Sequence, residues 1–324
     1  MLTFVIRRLL YSVVVLLAAS FIIFTFVSVS GDPVAFLRMQ PTASEITIQR
    51  IEERKHLNDP IPVQYVYWLK DMLTNQFGTT TIGDRPILPD ITRVMGHTLQ
   101  LVIAAELLAI LVAVGIGVYS ALRQYSVFDY SATTFSFIGL ATPVFWLALM
   151  LQVLFVYIYQ WTGVRIFYVA NLSGVDPGTG IHFLLDRAQH LALPVLVLMV
   201  ASIASYSRYM RASMLEVVNS DYVRTARAKG LPERSVTMRH AFRNALIPLV
   251  TIVALNFGAL LGGAVVTETV FGLDGMGLYF INALNNGDPY PVMAWLMVTA
   301  TLVIIFNLVA DIAYGYLDPR VRYE

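Results

Sequence analysis

Few side chains in this 324-residue sequence stand in arrangements that bond-making chemistry needs. Cysteine is absent and histidine occurs five times, with His97, His182, His190 and His240 sharing no helical face at ligand spacing, so neither thiolate chemistry nor a metal site is expected. A phosphate-cradling loop needs Gly followed by Lys, and that pair never occurs. Leu172-Ser173-Gly174 and the sequon Asn171-Leu172-Ser173 lack supporting context and are read as coincidences. No catalytic residue is assigned. What remains are three acids in or beside apolar runs, Glu106, Glu268 and Asp311, and one compact basic stretch, Ser220 to Pro232. An acid facing hydrocarbon is costly unless it is hydrogen-bonded, paired or in use. Glu106 is expected to be a buried hydrogen-bonded group, the alternative being a functional pairing with another helix, and Asp311 an interfacial one.

The basic stretch reads Ser-Asp-Tyr-Val-Arg-Thr-Ala-Arg-Ala-Lys-Gly-Leu-Pro. Ser220 or Asp221 can cap the first amides of a helix. Gly230 supplies a left-handed residue after the last turn, Lys229 suits the negative helix end, and Pro232 forbids continuation. A helix of about nine residues is predicted, with Tyr222, Val223 and Ala226 on an apolar stripe and Arg224 and Arg227 projecting together elsewhere. Glu233 to Arg243 begins a new helical stretch that leads through Asn244 and Pro248 into a long apolar run. A short capped helix hinged to such a run is suited to passing force inward from an aqueous partner. The plain alternative is a solvated loop that fixes topology or touches anionic lipid.

These pieces need a scaffold, and composition says what kind. Apolar residues make up 57% of the chain and charged ones 13%, against about a quarter in soluble domains. Mean hydropathy is +0.67, so the bilayer is the expected solvent. A net charge of +1 argues against a nucleic-acid binder. Six runs suit a span of about 20 residues: Leu9 to Gly31, Thr98 to Leu122, Tyr130 to Val164, Ala188 to Ser207, Asn244 to Thr267 and Pro289 to Ala310. The third is read as one long helix, tilted or bent at Pro143. The first lacks a signal-peptidase site and is read as a retained anchor. Lys and Arg on the short alternate loops number thirteen on one side and two, Arg165 and Arg187, on the other, which places both termini in the cytoplasm. The domain reading is 1–31 for the N-terminus and first span, 32–97 for a small extracytoplasmic segment with helices near Ser44 to Leu57 and Val63 to Leu73, and 98–324 for a five-helix core containing the basic segment 208–243. Gly258 to Gly263 is read as a close helix-packing site.

The run from Asp221 through Tyr222, Val223, Arg224, Thr225, Ala226, Arg227, Ala228 and Lys229 to Gly230, followed by Arg243-Asn244-Ala245-Leu246-Ile247-Pro248, resembles the coupling-helix signature of oligopeptide and dipeptide ABC importer permeases, of the first-permease type. Arg7-Arg8-Leu9-Leu10, Gly31-Asp32-Pro33, Pro62-Val63-Gln64-Tyr65 with Trp68-Leu69, Glu268-Thr269-Val270-Phe271, Gly275-Met276-Gly277 and Leu317 to Tyr323 continue the likeness along the whole chain. Arg224-Thr225-Ala226 stands where the wider importer family has Glu-Ala-Ala, and the interval from Gly230 to Pro248 exceeds the shortest family form. The resemblance implies an all-α type I importer permease fold and a non-catalytic subunit of a bacterial inner membrane. Its implied partners are a homologous second permease, two ATPases that use ATP and Mg, an extracytoplasmic binding protein, a peptide substrate and membrane lipid. This chain itself would bind no cofactor. Glu268 and Phe271 become candidates for the pathway or its outer gate. Nickel chelates, glutathione or a gradient-driven transporter are the alternative readings.

Overall fold

The structure is a computed structural model and describes residues 2–39, 44–75, 77–261 and 264–317. Among these, every regular element is helical: α1 (Leu2–Ser30), α2 (Ala35–Arg38), α3 (Glu45–Arg54), α4 (Ile61–Thr74), α5 (Ile87–Leu122), α6 (Val127–Ala141), α7 (Val144–Thr162), α8 (Ile181–Val218), α9 (Asp221–Ala228), α10 (Glu233–Ser235), a π-helix (Val236–Phe242), α11 (Arg243–Leu261), α12 (Val265–Phe271), α13 (Met276–Asn285) and α14 (Pro289–Leu317). Six of them, α1, α5, α7, α8, the helical run through α11, and α14, are long and apolar enough to cross a bilayer. The chain thus has a basic side, carrying the N-terminus and α9, and a cap side, carrying α2 to α4.

The parallel pair α5 and α8, both running from the cap side to the basic side, forms the spine. Its approach depends on Gly117: a Cβ there would lie 2.6 Å from Met210 Cβ and 2.8 Å from the Ser207 carbonyl. Toward the cap side, Leu101, Ala105, Leu193, Val197 and Phe271 make one core. Toward the basic side, Tyr206, Met210, Met214, Val236, Ala241 and Leu249 make another. Much of the rest of the apolar surface is open, as at Phe26 and Leu111, which suits helices whose solvent is lipid or a neighbouring protein.

Helices α3 and α4 fall on the stretches predicted near Ser44 to Leu57 and Val63 to Leu73. Ser44 Oγ accepts from Thr47 N and starts α3. Arg38 bridges Asp32 and Glu52, and Asp288 accepts from Thr81 N and Thr81 Oγ1, both at 2.8 Å, tying the cap to the start of α14.

Several expectations need correction. The Tyr130 to Val164 run is two helices, α6 and α7, with Thr142 extended (φ −77°, ψ 120°) and Pro143 capping α7. Proline excludes the preceding residue from helical geometry, and here that produces a break rather than a bend. The second and fourth spans begin well before Thr98 and Ala188, so α5 runs unbroken through residues 97 and 98, and α8 carries residues 208–218 of the basic segment. The fifth is described as Arg243–Leu261, and Thr267 lies in the separate α12, which follows the non-helical Ala264. Gly258 packs against α14, with its Cβ position 3.4 Å from Val303 Cα and Phe306 Cβ. Gly262, Gly263 and the motif from Asp318 to Tyr323 lie outside the described residues.

Candidate functional site

Helix α9 sits at the basic side exactly between two spans in sequence, after α8 and ahead of the π-helix and α11. Val223 and Ala226 are buried against the basic-side core, whereas Tyr222 is 46% exposed and leaves the stripe assigned to it. Adjacent helical residues point about 100° apart, so a helix this short seats only one of the two positions. The expected side-chain cap is also missing: Ser220 Oγ donates back to the Val217 carbonyl at 2.6 Å and makes no cap bond to α9. Gly230 does adopt the left-handed conformation, φ +74°.

The two arginines part company. Arg224 is exposed and lies 3.7 Å from Asp221 one turn earlier. Arg227 turns the other way and grips Glu233, Nη2 to Oε1 at 2.8 Å, closing the Gly230–Pro232 turn from α9 to α10. The exposed surface of α9 is therefore made by Tyr222, Arg224 and their neighbours. Beneath it, Val236, Thr237 and Ala241 of the π-helix are buried, so the support of α9 is continuous with α11.

A second anchor lies at the other side of α8's base. Asp129 accepts from Arg211 Nε (2.6 Å) and Nη2 (2.7 Å), and from Tyr125 N. This pair was not singled out in the sequence; the signal for it is an acid three residues after Ser126, whose Oγ accepts from Asp129 N and starts α6.

Glu268 and Phe271 are both fully buried within the chain. The Glu268 carboxylate accepts from Thr98 Oγ1 (2.7 Å), Gly277 N (2.6 Å) and Leu278 N (3.3 Å), joining α12, α13 and α5. Gly275 and Gly277 make room: a Cβ on Gly275 would lie 2.5 Å from the carboxylate carbon. Phe271 packs into the cap-side core, and its carbonyl accepts from Asn171 N. The pair thus sits inside the hairpin of α12 and α13, not on an open surface of this chain. Glu106 accepts from Ser202 Oγ and Tyr206 Oη, both at 2.8 Å, as a buried hydrogen-bonded group linking α5 to α8. Asp311 pairs with Arg8 at 3.1 Å, binding the two terminal spans together. No group of three or more His, Cys, Asp or Glu that could hold a metal is found among the described residues.

Six helices long and apolar enough to cross a bilayer, with a short exposed helix hung between two of them, have the build of an integral membrane subunit. The chain belongs to the binding-protein-dependent transport system inner membrane component family, which it matches over residues 113–323, with residues 1–110 matching the N-terminal membrane component of such systems. It is 38% identical to the oligopeptide transport system permease protein AppB of Bacillus subtilis over 100% of both chains. It is 37% identical to the dipeptide transport system permease protein DppB of Alkalihalophilus pseudofirmus, again over 100% of both, and 32% identical to the DppB of Escherichia coli over 100% of both. The chain is therefore an ABC importer permease of the inner membrane, with the all-α, six-span type I fold.

Proposed function

We propose that this chain is the first of two permease subunits in a peptide importer, forming half of the translocation path and receiving the stroke of two cytoplasmic ATPases through α9. The observation that carries the reading is mechanical. Helix α9 is seated by Val223 and Ala226 on the packing that also holds the π-helix and α11, so a push on its exposed face reaches a membrane span without an intervening flexible loop. Asp221 to Gly230 are the contact segment, with both termini and α9 in the cytoplasm.

The peptide cargo rests on the names of the full-length relatives, which are oligopeptide and dipeptide permeases. A loaded binding protein docks on the cap side, ATP binding closes the ATPases, and α9 converts that closure into opening toward the cap side. ATP and Mg are held and consumed by the ATPases, and the permease needs no catalytic group. For the cycle to run, substrate and nucleotide must prefer different global states, since a ligand that binds both equally shifts neither. Glu268 and Phe271 serve this cycle by holding the α12–α13 hairpin rigid at the mouth of the path.

The test is gentle purification of the tagged chain from its native membrane, identification of stoichiometric partners by mass spectrometry, and uptake by the reconstituted complex of dipeptides, longer peptides, nickel chelates and glutathione. A sister permease, ATPases and a binding protein, with peptide uptake, are expected. The same complex importing only a chelate or glutathione would overturn the peptide assignment.

A further inference from the structure

Four polar side chains from three spans form one chain of hydrogen bonds inside the bundle: Ser202 and Tyr206 of α8 donate to Glu106 of α5, and Asn256 of α11 donates from Nδ2 to Tyr206 Oη at 3.2 Å. The order of donors is fixed by counting hydrogens. With Glu106 ionised, Tyr206 gives its single O–H to the carboxylate at 2.8 Å and accepts from its other neighbour, so Asn256 presents its NH2 group. The amide oxygen of Asn256 is thereby turned away from the network, and among the described residues it meets no donor.

Burial changes along this chain. Glu106 is 1% exposed, Tyr206 0% and Ser202 9%, while Asn256 is only half-buried. An amide oxygen left without a donor in hydrocarbon is costly. Its half-exposed face therefore belongs against water or a polar ligand. Asn256 also lies on α11, the span that continues into the π-helix and the seat of α9, about 20 Å along the helix from Arg243 at 1.5 Å per residue.

We infer that Asn256 lines the translocation path and offers its amide oxygen to the N–H groups of a passing peptide, with Tyr206 and Glu106 as positioning residues that fix the amide's orientation. This rests on the importer reading above and adds to it a contact point for cargo.

The chain lacks cysteine, so Asn256→Cys introduces its only thiol. The complete complex in lipid nanodiscs is treated with a charged methanethiosulfonate reagent, and modification of this subunit is read by mass. The control is Leu107→Cys, at a 63% exposed position on α5 next to Glu106, which lipid should cover. Modification at 256 at least tenfold faster than at 107, changing with ATP and loaded binding protein, is expected. Modification at 256 as slow as at 107 in every nucleotide state overturns the inference. A second variant, Asn256→Asp, should favour uptake of cationic over anionic peptides at least fivefold; an equal change for all peptides also overturns it. State-dependent modification of Asn256→Cys, with no peptide imported by the wild-type complex, retains the path position and removes the peptide cargo.

Discussion

Asp129 and Arg211 meet in a two-pronged pair, Nε to Oδ1 at 2.6 Å and Nη2 to Oδ2 at 2.7 Å, that ties the first turn of α6 to α8 just above the seat of α9. The Asp129 side chain is 3% exposed and that of Arg211 27%, so removing one member strands the other in a poorly solvated place. Arg211→Met should destabilise the subunit by about 3 kcal/mol. Asp129→Asn with Arg211→Met should recover much of that loss, because the stranded charge is gone. Thermal unfolding of the purified complex, run as a double-mutant cycle, reads the coupling; additive losses would show that the pair is not what joins the helices.

The Glu268 carboxylate takes two backbone N–H groups and one hydroxyl, and an amide offers a poor replacement because half of it is a donor. Glu268→Gln should weaken the α12–α13 hairpin by about 2 kcal/mol and lower peptide uptake while the complex still assembles. Gly275→Ala should be worse, since the added Cβ would lie 2.5 Å from the carboxylate carbon. Normal uptake by Glu268→Gln would remove this residue from the gating machinery.

Gly230 has φ +74° and nothing within 4 Å of where a Cβ would stand, so a side chain there meets a conformational cost and no clash. A non-glycine residue in this region costs about 1 kcal/mol or more, most for β-branched types. Gly230→Val should tilt α9 and reduce stimulation of ATP hydrolysis by loaded binding protein, with Gly230→Asn close to wild type. Equal, full stimulation in both variants would count against α9 as the docking element.

Much of the bundle was readable because apolar length and basic loops are strong signals: α1, α5, α8 and α14 all fall on predicted runs, and the short helix at Asp221 announces itself by Gly230 and Pro232. The failures share a cause. Hydropathy reports how long a run is but not whether one helix or two occupy it, so the break at Thr142 and Pro143 was invisible to it. Which turn of α9 faces the core depends on what α8 and the π-helix put beside it, and this exposed Tyr222. The Glu106 network reads plainly as one acid, but its partners Ser202, Tyr206 and Asn256 are 96, 100 and 150 residues away, beyond any local pattern.

Asp288 lies just outside the last span, and burial pushes its carboxyl pKa up despite the opposing hydrogen bonds from Thr81 and Tyr290 N. A group with a raised folded-state pKa binds more protons folded than unfolded, so its contribution is greatest below its unfolded pKa and fades as pH rises through the folded value. Acidification should therefore favour wild type over Asp288→Asn between neutral pH and about pH 4. That sign is opposite to the usual loss of salt-bridged carboxylates in acid. Unfolding temperatures of the two proteins across this range provide the check, and a gap that widens in favour of wild type on alkalinisation would reverse the assignment.

The π-helix over Val236–Phe242 stands where α9 joins α11, and a segment of this kind accommodates an extra residue in an otherwise α-helical ladder. Met238 is 52% exposed within the segment, so deleting it takes little from the core while giving the ladder a chance to close in α register. Its buried Val236, Thr237 and Ala241 join the seat of α9 to α11, so a change of register here would re-aim the push that α9 passes on. The Met238 deletion should therefore fold and retain its ATPases, yet lose binding-protein-stimulated ATP hydrolysis and peptide uptake several-fold. Helical content by circular dichroism and copurification of the ATPases establish that the complex is intact before transport is compared. Uptake equal to wild type would reduce the π-helix to a passive accommodation of chain length, and coupling would then need only the rigid seat that Val223 and Ala226 provide.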